Sequence, residues 1–339
     1  MKIRSAPGLT VIVLLGAAAI IVSYALYTPD LEVDRAAPAS ATQSATSPTQ
    51  FAKPSNSASP DTSFKTPVNF HPPAEPDMPK DEFGKTIKQG EAIFVNTALY
   101  ARAYVGKDSN LRCSSCHLDA GRLAHSAPMW GAYVSYPAYR KKNKHVNTLA
   151  ERMQGCFKYS MNGKAPPLGD PVLVALESYA YWLASGAPID PKIPGRGYPK
   201  LPEPTLPRDY ARGQQVFEQH CAVCHGADGA GQTDASGQAN FPALWGPKSF
   251  NWGAGMSSIK NAAGFIKANM PLGLGGTLSD QQAWDVATFM DSQERPQDPR
   301  FKGSVTATRA QYHDSPDDMY GKTVNGHVLG ASAGSGATR

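Results

Sequence analysis

The sequence predicts an all-α protein of two tandem small domains, preceded by an apolar N-terminal helix and a disordered linker. Three observations lead there. An internal repeat recurs 108 positions apart, helix-like opening and closing segments flank long irregular middles, and the chain has 339 residues. At about 150 residues per domain, that length leaves room for two domains and some non-globular sequence. A 41% hydrophobic and 18% charged composition allows a buried core, while 31 Gly and 29 Pro require long loops. This balance excludes a coiled coil, a collagen-like fibre and a polytopic membrane protein. Lys and Arg number 33 against 28 Asp and Glu, a surplus too slight to argue for nucleic acid unless it is concentrated. Five cysteines would leave one thiol over from any disulfide framework.

Lys2 and Arg4 precede an uncharged run of 20 residues from Gly8 to Tyr27, which as a helix spans about 30 Å, enough for a bilayer core. The positive start keeps the N-terminus cytoplasmic and sends the rest across. The run is longer than the apolar region of a typical cleavable signal, and the nearest tidy small-x-small site, Ala39-Ser40-Ala41, lies well past it. Residues 1–29 therefore read as an uncleaved anchor, with cleavage as the alternative. Both readings put the folded part outside the cytoplasmic membrane. Residues 30–79, rich in Ala, Pro, Ser and Thr without an apolar period, read as a disordered tether.

Two compact segments follow, 80–187 and 206–293, separated by a Pro-rich linker at 188–205. A Gly/Ser/Ala-rich flexible tail over 294–339 ends the chain. Gly90-Glu91-Ala92-Ile93-Phe94 matches Gly213-Gln214-Gln215-Val216-Phe217, and Tyr179-Ala180-Tyr181-Trp182 matches Val286-Ala287-Thr288-Phe289. Each unit thus reads as opening helix, Cys/His motif, irregular middle and closing helix. Ser279 with Gln282 forms a capping box at the start of the last helix. The first unit carries an insertion between Phe94 and Cys113 that the second lacks.

The motifs are Cys113-Ser114-Ser115-Cys116-His117 and Cys221-Ala222-Val223-Cys224-His225. Cys-x-x-Cys-His is the attachment signature of haem c: the spacing sets two thioethers under the vinyl groups of one porphyrin, and the adjacent His turns in to iron. A redox dithiol does not need the His, and a zinc site would need a second ligand pair nearby. Two copies in an exported, internally repeated chain predict two covalently bound haem c groups, with His117 and His225 as proximal ligands. The fold class becomes two tandem cytochrome c-type haem domains, each using its haem as much of its core.

The sixth iron position sets potential and reactivity. In the second unit Met256, Met270 and Met290 are available. Met270 sits before Pro271 on a Gly-rich loop, where a thioether suits a stable electron-transfer iron, whereas Met290 reads as helix core. In the first unit His125, Met129, His145, Met153, Cys156 and Met161 all follow the motif. The thioethers consume four cysteines and leave Cys156 alone, either as a small buried hydrophobe or as a functional thiolate. Between residues 140 and 164, seven basic residues (Arg140, Lys141, Lys142, Lys144, Arg152, Lys158 and Lys164) face Glu151 alone. Such cations favour a thiolate and gather anions. A solvated charged face is the plainer alternative, and a nucleic-acid patch lacks the interleaved aromatics it would need.

Around these residues the chain resembles the thiosulfate dehydrogenase family, periplasmic di-haem cytochromes c that interconvert thiosulfate and tetrathionate. The resemblance rests on Cys113 to Gly121, on Tyr136-Pro137-Ala138-Tyr139-Arg140, and on Glu151 to Lys164, and covers about residues 80 to 293. It implies that Cys156 is the distal ligand of the first, active-site haem, and that Arg152, Ser160 and Lys164, with Arg140 as a looser match, hold substrate anions. It also implies an external acceptor, such as a c-type cytochrome, fed by the second haem, and a periplasmic location. It says nothing of the anchor, tether or tail, so attachment to the inner membrane through the N-terminal helix is expected from the apolar run alone. Some relatives have a lysine before the ligand methionine and exchange the two on reduction. Asn269 in that place implies that Met270 stays. The rivals are a non-enzymatic di-haem electron carrier, in which Cys156 would be packing, and a di-haem peroxidase, which would want an open iron and an acid/base residue such as His125 or His145.

Overall fold

The computed structural model describes residues 65–331 apart from 110, 141–143, 190–192, 194 and 236–238. The expected membrane anchor and most of the tether lie outside the described residues. Among those described, no helix is long and apolar enough to cross a membrane.

Seven helices carry the architecture: α1 (Glu82–Val95), α2 (Leu149–Gly155), α3 (Pro171–Leu183), α4 (Tyr210–His220), α5 (Ile259–Asn269), α6 (Asp280–Asp291) and α7 (Val305–Tyr312). One-turn helices and 3₁₀ turns fill the spaces between them. Among the described residues, strand is confined to three antiparallel pairs: β1 (Ala138–Arg140) with β2 (His145–Asn147), β3 (Gln232–Thr233) with β4 (Ala239–Phe241), and β5 (Thr323–Val324) with β6 (His327–Val328). The sequence expectation of a helical protein with little sheet holds among the described residues.

The repeat is visible in the helix crossings. α1 starts on Asp81, whose Oδ1 accepts from Gly84 N at 2.9 Å, and α3 starts on Asp170, with Pro171 in its first position. The two cross at Gly90, where a Cβ would stand 2.0 Å from Ala175 O. α4 and α6 cross in the same way at Gly213, whose Cβ would stand 2.0 Å from Asp285 O. One turn on from each glycine, Phe94 packs on Tyr179 at 5.6 Å and Phe217 on Phe289 at 5.4 Å. Glycine lets the backbones touch, and the aromatic fixes the crossing. The capping box at the head of α6 is present in both directions, at 3.1 and 2.8 Å.

Three stretches expected to be loose are packed. Phe70, placed by the sequence reading in the 30–79 tether, is buried against Trp130 with ring centroids 4.9 Å apart. In the 188–205 linker, Ile193 and Leu201 are buried, and Trp284 Nε1 donates to Pro202 O at 2.8 Å. The expected flexible tail instead folds from 294 to 331. α7 is capped by Ser304, and Tyr320 and Leu329 bury themselves with Trp252. Isolated apolar residues meeting distant partners hold all three, without the periodic pattern that marks a helix or strand.

A charged knot secures the tail. His313 is buried, with Nε2 2.9 Å from Asp298 Oδ2 and Nδ1 2.7 Å from Asp318 Oδ2, and its ring stacks on Tyr320 at 4.3 Å. Both partners are carboxylates, so both ring nitrogens donate, which requires imidazolium. Burial opposes that charge, but the bonds to Asp298 and Asp318 raise the His313 pKa above its usual value. Burial likewise works against charged Asp298, yet Arg300 and His313 hold it well below the usual carboxylate range. A raised histidine pKa contributes stability in full below the unfolded value, and that stability fades as pH rises through the folded value. The Asp298 contribution is present above the unfolded carboxylate pKa and fades only in strong acid. His313→Gln is expected to destabilise the holoprotein by about 2 kcal/mol near pH 6. In denaturant titrations the gap from wild type should narrow as the pH is raised.

Candidate functional site

The second motif begins at the C-terminus of α4, where Cys221 caps the helix and a single turn, Ala222–His225, turns the imidazole inward. His225 Nδ1 donates to Pro242 O at 2.9 Å. In the first motif His117 Nδ1 donates to Ala127 O at 2.7 Å. A carbonyl can only accept, so both bonds put the proton on Nδ1 and leave the Nε2 lone pair for a metal. Burial lowers both histidine pKa values, keeping the rings neutral.

Burial also pushes the thiols of Cys113, Cys116 and Cys221 up to about 12. A dithiol redox centre needs the opposite, a thiol poised to ionise. Cys221, Cys224, His225 and Met270 line one cavity of about 240 Å³, whose other walls include Phe265 and Ile266. A flat apolar cofactor held by two thioethers and an imidazole fits that donor set and those walls. Met256 and Met290 also line the cavity, but Met290 is buried inside α6, as the sequence reading expects. Met270 closes α5 in extended conformation.

Arg112, Ser114, Ser115 and Cys116 form part of the same cavity wall, so the two motif sites adjoin. Arg112 spans them, its guanidinium donating to Asn96 Oδ1 at 3.4 Å and to Ala239 O in the second half.

Cys156 stands at the first site. α2 begins at a Thr148/Glu151 capping box and runs into a π-helical turn, Cys156–Ser160. A π turn adds a residue to the helical circuit and re-aims the side chains after it. Arg152, four residues before Cys156, lies on the same helix face, and its Nη1 donates to Cys156 Sγ at 3.0 Å. Cys156 is close enough to Cys113 and Cys116 to raise both their pKa values, and Arg152 acts on His117 in turn. The Arg152 pKa is raised chiefly by Cys156. The lone sulfur accepts from a guanidinium and lies within electrostatic range of the haem-attachment cysteines.

The other expected anion-holding residues are spread more widely. Ser160 ends the π turn and is half-buried, and Lys164 is exposed four residues further on. Arg140 is exposed at the end of β1, its guanidinium 6.0 Å from the Tyr136 ring, and Tyr136 acts electrostatically on Arg152. Lys141 and Lys142 lie outside the described residues. Lys158 stands over its neighbour Tyr159 at 5.5 Å. The basic run is therefore a half-buried guanidinium on Cys156 together with more exposed cations at the β1–β2 pair and beyond the π turn. The insertion in the first unit backs this region, with Gly106 N donating to Met161 O at 2.9 Å and Lys164 N to Tyr104 O at 3.1 Å.

The structural roles of three residues escape sequence reasoning. Tyr198, from the linker, donates to Cys116 O at 3.4 Å, stacks edgewise on Phe265 at 5.4 Å, and lies within electrostatic range of Arg152 and Cys156. Asn269 is buried and joins the Met270 loop to the first half through His125 O at 3.2 Å. Asn251 crosses the other way, onto the π turn. The sequence carried only one hint, the Asn269 substitution beside Met270.

Comparison with known proteins divides the chain in the same way. Residues 100–189 match the family model "SoxA/TsdA, cytochrome c domain" and residues 210–294 match "Cytochrome c". A thiosulfate dehydrogenase of Thiomonas intermedia (strain K12) is 62% identical over 265 residues, 78% of this chain and 83% of the relative. One from Stutzerimonas stutzeri (strain A1501) is 54% identical over 263 residues, 77% of this chain and 85% of the relative. Among solved structures, thiosulfate dehydrogenase (TsdBA) from Marichromatium purpuratum superposes with a TM-score of 0.75 at 48% identity, covering 78% of this chain. The match spans 58% of that longer solved chain. With two haem-attachment sites in adjoining halves and relatives of this identity and coverage, the chain belongs to the thiosulfate dehydrogenase family of di-haem c-type cytochromes.

Proposed function

We propose that this protein oxidises two thiosulfate ions to tetrathionate at the first haem site and passes the electrons through the second to an external acceptor, a c-type cytochrome being the expected kind. The observation that carries the reading is the Arg152 guanidinium 3.0 Å from Cys156 Sγ beside the first motif. His117 with Cys156 would hold the first haem iron, and His225 with Met270 the second. Bound haems supply two one-electron acceptors for a two-electron oxidation.

The chain's own residues do the rest. Two dianions meeting in a poorly solvated cleft repel each other strongly, so fixed cations must neutralise them before sulfur can meet sulfur. Arg152 is the innermost cation, Ser160 supplies a hydroxyl, and Lys164 and Arg140 gather anions from outside. Cys156 thiolate bonds to the terminal sulfur of the first thiosulfate as two electrons leave, giving an S-thiosulfonate on the side chain. The terminal sulfur of the second thiosulfate then attacks the sulfur that Cys156 acquired. The new sulfur–sulfur bond makes tetrathionate, and the Cys156–S bond breaks to return the thiolate beside Arg152. Run backwards, the same steps reduce tetrathionate.

Val223, between the second motif's cysteines, is 76% exposed, which brings the edge of that site to the surface where an acceptor could reach it. The sequence supports a periplasmic address and a membrane tether through residues 1–29. A steady-state assay of the holoprotein with thiosulfate and ferricyanide, run beside tetrathionate with a reduced donor, tests the reading. Turnover is expected in at least one direction. Inactivity in both would leave an electron carrier.

A further inference from the structure

The π turn that carries Cys156 is held by the other haem domain. A π turn alters the helical bonding register and leaves carbonyls near its end in need of donors. Asn251 provides them. Its Nδ2 donates to Lys158 O at 2.9 Å and to Asn162 Oδ1 at 3.1 Å, and its backbone N–H donates to Tyr159 O at 3.1 Å. Asn251 is itself fully buried, and its Oδ1 accepts from Gly253 N at 3.0 Å, which shapes its own loop. The loop is pressed close to the turn, since a Cβ on Gly253 would stand 2.4 Å from Tyr159 Cδ1. On another side, the folded tail lays Arg300 over the Tyr159 ring at 5.1 Å. The same loop supplies Phe250, which packs in the first core and lines the second haem cavity.

We propose that Asn251 is a positioning residue for the reaction: from the second domain it fixes the π turn and so sets where Cys156 Sγ and Ser160 stand relative to Arg152 and the first haem. This rests on the reading of Cys156 given above. Arg152 and Cys156 lie on opposite sides of the junction between α2 and the π turn. A shift of the turn therefore changes their separation without unfolding α2, whose capping box lies at its far end. A displacement of about 1 Å at a reacting atom is costly even when no contacting group is lost.

Two variants test the proposal. Asn251→Ala removes both side-chain donors and the loop's own acceptor. Asn251→Asp keeps the Oδ1 that accepts from Gly253 but turns an acceptor oxygen toward Lys158 O, and decides the matter if the alanine variant loses a haem. Each is compared with wild type and Cys156→Gly for haem content, second-haem spectrum, and kcat and KM for thiosulfate, and with wild type for the rate at which iodoacetamide alkylates Cys156, read by peptide mass spectrometry. The expected result is a kcat lowered about 10- to 100-fold and Cys156 alkylation accelerated at least about fivefold, with two haems and an unchanged second-haem spectrum. Wild-type alkylation and kcat in Asn251→Asp, with Cys156→Gly inactive, would overturn the role of Asn251 and leave the site reading standing. Full activity in Cys156→Gly would overturn both.

Discussion

Cys156→Gly is expected to abolish thiosulfate oxidation, lowering kcat by at least about 10³-fold, while both haems remain attached and the second keeps its spectrum. The size follows from the chemistry. Without the side-chain sulfur, the first thiosulfate has no partner with which to share a sulfur–sulfur bond. Oxidation would then require two dianions to lose electrons separately and couple in the cleft. Glycine leaves a space near Arg152 and no replacement ligand. The four thioether cysteines are untouched, so haem attachment serves as the internal control. Assay of the purified variant with thiosulfate and ferricyanide, beside a haem count, checks it.

Arg152→Gln should be nearly as damaging, with kcat/KM for thiosulfate down by about 10²- to 10³-fold. In the proposed reaction the guanidinium has two tasks. It donates to Cys156 Sγ at 3.0 Å, stabilising the thiolate on each return, and its charge offsets the incoming anions. Glutamine can still donate a hydrogen bond but carries no charge, so the variant isolates the electrostatic part. Both constants should change, KM rising with weaker anion binding and kcat falling with poorer thiolate release. Lysine should rescue only in part, because an ammonium cannot reproduce the planar fork. Initial rates across a range of thiosulfate concentrations separate the two effects.

Much of this architecture was legible in the sequence because local rules write it there. Thioether spacing is fixed by the porphyrin, so both haem sites could be placed from ten residues. The glycine and aromatic of the repeated opening segment turned out to be the helix-crossing contacts at Gly90/Phe94 and Gly213/Phe217. Arg152 and Cys156, four residues apart, share a helix face because α2 forms there, a helix within the middle that the sequence reading takes as irregular. The tail was misread because its stability is non-local: His313 needs Asp298 and Asp318, and Tyr320 needs Trp252. None of these pairs leaves a period in the sequence. The π turn is equally silent, since one extra residue in a helical circuit has no compositional signature. Its Asn251 support arrives from 95 positions downstream of Cys156. Tyr198 was hidden in a segment whose prolines read as linker.

The central claim is that Cys156 bonds covalently to thiosulfate sulfur beside the first haem. Peptide mass spectrometry of holoprotein quenched during turnover tests it most directly. An S-thiosulfonate on the Cys156 peptide, formed only with thiosulfate and an electron acceptor and cleared by further thiosulfate, is the predicted result. Sustained tetrathionate production with Cys156 unmodified at every quench time would contradict the account.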